Sequence, residues 1–142
     1  VPGIVFVLSA VIAFATGTSW GTFGIMIPIV MPIAVGLAQA AQLPPSAALN
    51  AVFICISAVL GGAVFGDHAS PISDTTILSS TGAGCPHLEH VATQMSYALF
   101  AALCSLAGFI TGGIFMNGLS AWLAVLAVFT GGMIVLPKVS KA

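Results

Sequence analysis

The sequence predicts an all-α, polytopic membrane protein with a re-entrant hairpin and a broken transmembrane helix. Two observations carry this. Of 142 residues, 59% are hydrophobic and only 4% are charged, against about 25% charged in an ordinary soluble domain. The mean hydropathy is +1.20, and it comes from long apolar runs separated by two tracts rich in Gly, Ser and Thr. A soluble globular domain, a disordered tail and a nucleic-acid binder are excluded. A net charge of −1 offers nothing to a phosphate backbone.

Five apolar stretches follow one another: 1–15, 23–41, 47–65, 91–115 and 119–136. All are expected to be helices, because an open strand in lipid leaves its backbone groups unpaired, and no period-2 alternation suggests a barrel. The first, with 15 residues, is ~22 Å of helix at 1.5 Å per residue. That falls short of the ~30 Å hydrocarbon core, so it reads as one arm of a re-entrant hairpin over 1–41 with its tip at Thr16–Thr22. Gln42-Leu43-Pro44-Pro45 is a turn, and Ser46 reads as the N-cap of the next helix. That helix runs into Gly66, unwinds over Gly66–Pro71 and resumes from Ser73, a broken helix over 46–81. A membrane-edge loop over 82–90 leads to helices over 91–116 and 119–137, separated by Met116-Asn117-Gly118.

Such spans use up the chain, so it reads as a piece of a larger transporter-sized protein. No basic n-region and cleavage site mark a signal peptide. The only basic residues, Lys138 and Lys141, follow the last stretch. The positive-inside rule therefore puts the C-terminus in the cytoplasm. Cys55, Cys85 and Cys104 are odd in number and read as free packing residues.

The chemistry concentrates in the second tract. All three acids lie between Asp67 and Glu89, and Asp67 and Asp74 lie inside Gly66-Asp67-His68-Ala69-Ser70-Pro71-Ile72-Ser73-Asp74-Thr75-Thr76. A carboxylate at membrane depth costs roughly 2.5–3.5 kcal/mol or more and usually marks an ion path. Seven residues is nearly two helical turns, so both carboxylates are expected on one side. Pro71 has no N–H for the carbonyl of Asp67, so a free backbone oxygen is expected there. With the hydroxyls of Ser70, Ser73, Thr75 and Thr76, these groups suit a hard cation such as Na+. Broken helices are the usual form of transporter ion sites. Burial disfavours a charged carboxyl, so a proton and Na+ would compete for one site, and alternating access would turn that competition into antiport. His68 is placed to tune it, or is simply held by a local carbonyl. An interfacial loop with solvated Asp residues is the blander alternative.

The first tract, Thr16-Gly17-Thr18-Ser19-Trp20-Gly21-Thr22-Phe23-Gly24, carries no charge. Thr16, Thr18, Ser19 and Thr22 offer hydroxyls, and two half-helix ends meeting there would aim partial charges at a solute. A small-residue packing surface is the plainer reading. Gly17-Thr18-Ser19-Trp20-Gly21 also fits G-x-S-x-G, an intramembrane serine protease pattern that leaves the aspartates without a role. An intramembrane aspartyl protease would want its two Asp on separate helices, whereas Asp67 and Asp74 share one segment. Cys85-Pro86-His87-Leu88-Glu89-His90 has no standard zinc spacing. It reads as a solvated loop, with pH sensing by His87, Glu89 and His90 as the sharper reading.

The tracts Ala15–Thr22 and Gly66–Thr76, with Cys85–Tyr97 behind them, resemble the NhaC family of Na+/H+ antiporters, which includes malate/lactate antiporters. The family often has a basic residue where this chain has Ala92 and a Pro where it has Ser96, departures that touch the loop rather than the ion site. The resemblance implies half of an inverted-repeat transporter. It implies Na+ and H+ as transported ions, no other cofactor, no catalysis, and a multi-pass place in the cell (inner) membrane. The partners it implies are the lipid bilayer and a missing N-terminal repeat, and it is compatible with a homo-oligomer. Asp67, Ser70, Ser73, Asp74 and Thr75 stand as the implied ion-binding segment, facing a tip at Thr16, Thr18, Ser19 and Thr22. A carboxylate exchanger is the rival within transport, but between residues 1 and 137 the chain has no Arg or Lys to meet an organic anion.

Overall fold

A computed structural model describes residues 1–139, with side chains as far as Ile134. Lys141 and the side chain of Lys138, on which the orientation rests, lie outside the described residues. Six helices follow in order: α1 (Pro2–Thr16), α2 (Ser19–Ala40), α3 (Pro45–Ala69), α4 (Asp74–Gly82), α5 (His87–Phe115) and α6 (Gly118–Val139). No strand occurs among the described residues. Helices α2, α3 and α5 are long and apolar enough to cross a membrane, and α1 and α6 are shorter apolar helices.

Several boundaries differ from the sequence expectation, each for a local reason. The first tract is mostly helical. Gly17 closes α1 in the left-handed region at φ 68°, its N–H on the Ala13 carbonyl at 2.8 Å. Thr18 then caps α2 by accepting from Gly21 N, so only two residues separate the helices and Trp20–Gly24 belongs to α2. Ser46 does not cap α3. Pro44 occupies the cap position and Pro45 opens the helix, where a preset φ and a missing N–H cost nothing.

The unwinding starts later than Gly66. Helix α3 continues to Ala69, and the non-helical link is only Ser70–Ser73. Ser70, as the residue before proline, is extended at φ −74° and ψ 130°, the region that proline imposes on its predecessor. Helix α5 begins at His87, inside the stretch expected to be a loop. Met116 takes a left-handed cap at φ 51°, and Asn50 Nδ2 donates to its carbonyl.

Helix α3 is the hub, packed against α1, α2 and α5. Helix α1 runs parallel to it in constant register. A Cβ added at Gly62 would lie 2.2 Å from Phe6 O, and one at Gly66 would lie 2.1 Å from Ala10 O. Further along, Ser70 Oγ meets Phe14 O. Gly66 therefore serves backbone approach rather than a break, as small residues do in membrane helix pairs. The core gathers Val5, Phe6, Met26, Val30, Val59 and Ala102, with the Phe6 ring 5.3 Å from that of Phe109.

Gly66→Ala should therefore destabilise the full-length protein by about 1–3 kcal/mol, the usual cost of overpacking. Thermal unfolding in detergent, with Gly36→Ala as control because its added Cβ meets nothing within 4 Å, checks this. Equal stability of the two variants would contradict the register.

Candidate ion-binding site

Among the described residues, the buried polar side chains are Ser9, Thr22, Asp67, Ser70, Ser73, Thr76 and Ser80. Five of the seven belong to the end of α3, the link and α4. Asp67 is 7% exposed, and its Oδ1 accepts from Ser73 Oγ at 2.6 Å. Ser73 Oγ also lies 2.7 Å from Thr75 Oγ1. A hydroxyl has one hydrogen. With that of Ser73 spent on the carboxylate, Thr75 donates to Ser73, and two hydroxyls point in series at Asp67. Ser73 stands at the N-cap of α4 without making a side-chain cap bond, because its hydroxyl is used here. The carboxylate thus sits at the N-terminal end of α4, where backbone N–H groups favour negative charge.

The second aspartate is elsewhere. Asp74 is exposed, and its Oδ1 accepts from its own neighbour Thr75 N at 2.8 Å. It does not share the burial of Asp67, because the seven-residue spacing crosses a non-helical link and does not run along one helix. Nor is the Asp67 carbonyl free, since Ser70 N donates to it at 3.1 Å in a tightened last turn.

The first tract meets the link through its backbone. A Cβ on Gly17 would lie 2.9 Å from Ile72 O, and Ser70 Oγ donates to Phe14 O at 2.7 Å while accepting from Ile72 N. Its hydroxyls mostly turn inward on their own helices. Thr16 donates to Ile12 O and the buried Thr22 to Thr18 O, and Thr18 serves as the cap. Ser19 is half-buried as the first residue of α2, and Trp20 is exposed.

Two carbonyls at the break, those of His68 and Pro71, are taken up by α5. Gln94 Nε2 donates to His68 O, which also accepts from Thr76 Oγ1. His87 Nε2 donates to Pro71 O at 2.7 Å. The His68 ring itself is exposed. Sequence reasoning missed His87 and Gln94 as partners of the break. Their spacing of seven on a helix that opens after Pro86 is the signal that puts both on one face. Among the described residues no three His, Cys, Asp or Glu side chains gather as a metal cluster.

The model of the Na+/H+ antiporter family matches residues 1–114. The chain belongs to the Na+/H+ antiporter family. It is 51% identical over 123 residues to a protein of Haemophilus influenzae of unassigned role, across 87% of this chain and 22% of that one. It is 36% identical over 112 residues to the malate-2H+/Na+-lactate antiporter of Bacillus subtilis, across 75% of this chain and 22% of that one. A further Na+/H+ antiporter of Haemophilus influenzae is 36% identical over 107 residues, across 75% and 20%. The chain thus spans about a fifth of the length of these curated relatives. No solved structure matches it significantly. Membership in this antiporter family and three membrane-length apolar helices make the chain part of a multi-pass membrane protein.

Ser70→Ala should leave the Phe14 carbonyl without its side-chain donor and cost roughly 1–3 kcal/mol. Chemical denaturation of the full-length protein reads this, and an unchanged midpoint would mean that α1 and the link are not coupled there.

Proposed function

We propose that this segment carries the ion site of a secondary transporter that exchanges Na+ for H+, with Asp67 as the group for which the two ions compete. One observation carries the proposal: Asp67 is a buried carboxylate whose only hydrogen bond among the described residues comes from Ser73. A buried charge needs a partner, and the chain has no Arg and only two Lys, at 138 and 141. A monovalent cation or a proton supplies that partner.

The surroundings support the same reading. Helices α1 and α3 run parallel and end together, at Gly17 and Ala69. Two helix C-termini carry partial negative charge, which attracts a cation. The Ser73 and Thr75 hydroxyls supply oxygens that replace water around Na+, while the Ser70 hydroxyl is held by the Phe14 carbonyl. With Na+ bound, Asp67 is ionised and Ser73 donates to it. With a proton on Asp67, the charge that held Na+ is gone. A protein that changes its exposed side only when one of the two ions is bound exchanges them one for the other.

The same proposal takes α1 and α2 as a re-entrant hairpin and α3–α4 as a broken transmembrane helix, in one of two inverted repeats. It assigns the chain to the NhaC branch and gives it a cytoplasmic C-terminus, Na+ and H+ as its cargo and no catalytic role. The G-x-S-x-G spacing falls across the α1–α2 turn, where a helix rather than the strand of a nucleophile elbow precedes Ser19. The second reading is coupled exchange of a small carboxylate. It is favoured by the 36% identity to a relative named as a malate/lactate antiporter, and it would need a cationic group from the rest of the protein.

In vesicles holding the full-length protein, Asp67→Asn should reduce Na+-dependent proton movement by more than about 100-fold, beyond the range typical of an outer-shell partner, with normal membrane insertion. Asp74→Asn, at an exposed position, should raise the Na+ KM and leave measurable exchange. Normal exchange by Asp67→Asn would refute the site.

A further inference from the structure

The segment Cys85–His90 has no part in the ion site proposed above, yet His87 bridges two of the elements that build it. The residue is half-buried as the first residue of α5. Its Nε2 lies 2.7 Å from Pro71 O in the link, and its Nδ1 lies 3.1 Å from Ser80 Oγ on α4. A carbonyl only accepts, so Nε2 carries a hydrogen.

Ser80 Oγ also lies 2.9 Å from Ile77 O, another group that only accepts. The hydroxyl has one hydrogen for two neighbours. If it goes to Ile77, Nδ1 must donate as well and the ring is a cation. If the ring is neutral, Ser80 turns its hydrogen to Nδ1 and the bond to Ile77 is lost. All three contacts coexist only with the ring doubly protonated. Seven residues further along α5, Gln94 donates to His68 O, so α5 grips the break on both sides.

We propose that His87 is a positioning residue for the ion site, clamping the Pro71 carbonyl to α4 and so holding Ser73 against Asp67. This rests on the reading of Asp67 given above. Pro71 and Ser73 are two residues apart in a four-residue link, so a shift of the Pro71 carbonyl is passed to the Ser73 hydroxyl and to the oxygen it presents. The clamp has two settings: the ring meets Pro71 O and Ser80 Oγ in both, but the Ser80 hydroxyl keeps its bond to Ile77 O only when the ring is charged. The titratable groups on the elements packed around it are Cys55, Asp67 and His68 on α3, Asp74 on α4, Cys85 in the turn, and Glu89, His90, Tyr97 and Cys104 on α5 itself. Cys85 Sγ is directed at Ser80 O, and among the described residues none of these groups hydrogen-bonds the His87 ring.

The test compares His87→Gln and His87→Ala in the full-length antiporter. Glutamine keeps an N–H donor for Pro71 O but cannot change charge. His87→Ala should raise the Na+ KM by about tenfold or more, as loss of an outer-shell partner does, and should speed deuterium exchange over residues 70–83. His87→Gln should restore both toward wild type and flatten the dependence of the Na+ KM on pH. Unchanged deuterium exchange in His87→Ala would overturn the clamp, whatever ion is carried. An unchanged pH profile in His87→Gln would overturn its dependence on protonation, even if His87→Ala failed to accumulate. Wild type and Asp67→Asn run in the same vesicles, so a failure of the ion-site reading is seen separately from a failure of the clamp.

Discussion

Helix α1 can lie on α3 only because Gly62 and Gly66 present no side chain to it; a Cβ at either would stand about 2 Å from a carbonyl oxygen of α1. This approach sets the register, and the register sets everything around Asp67. It brings Phe14 beside Ser70 and Gly17 against Ile72, so that two parallel helices stop at the same level. One turn of slip would separate the α1 terminus from the link and leave the Ser70 hydroxyl without the Phe14 carbonyl.

The second requirement is that polar groups in so apolar a chain be satisfied. A proline-broken helix leaves carbonyls that cannot pair within the helix, and an unpaired buried group costs roughly 1–3 kcal/mol. The protein meets this with side chains from outside the break. Gln94 and Thr76 take the His68 carbonyl, and His87 takes that of Pro71. With these oxygens occupied, the hydroxyls of Ser73 and Thr75 remain aligned on Asp67. The division of labour follows: α5 supplies donors that hold the break, and the link and the first turn of α4 keep their hydroxyls for Asp67.

Much of this was legible in the sequence. Apolar runs located five of the six helices to within a few residues, and Pro71 located the break. The sequence puts Asp67, Ser70, Ser73, Asp74 and Thr75 in one short stretch, of which the fold sets the Ser73 and Thr75 hydroxyls on Asp67, turns Ser70 to the Phe14 carbonyl and leaves Asp74 exposed. What the sequence hid depends on tertiary contact. Spacing gives the face of a residue only inside one continuous helix, so it could not follow Asp74 across the link. Gly66 has the composition of a break, and only the nearness of Ala10 reveals its use. His87 looked solvated because Pro86 was read as part of a loop, whereas proline is also a common start to a helix.

In the proposed exchange a single carboxyl, that of Asp67, gives up its proton when Na+ arrives. Infrared difference spectroscopy on the full-length protein, recorded as Na+ is added at constant pH, tests it most directly. The predicted result is loss of one protonated-carboxyl band with a matching gain in carboxylate, and no such change in Asp67→Asn. Na+ binding that leaves the carboxyl bands untouched, or the same difference spectrum in Asp67→Asn, would contradict it.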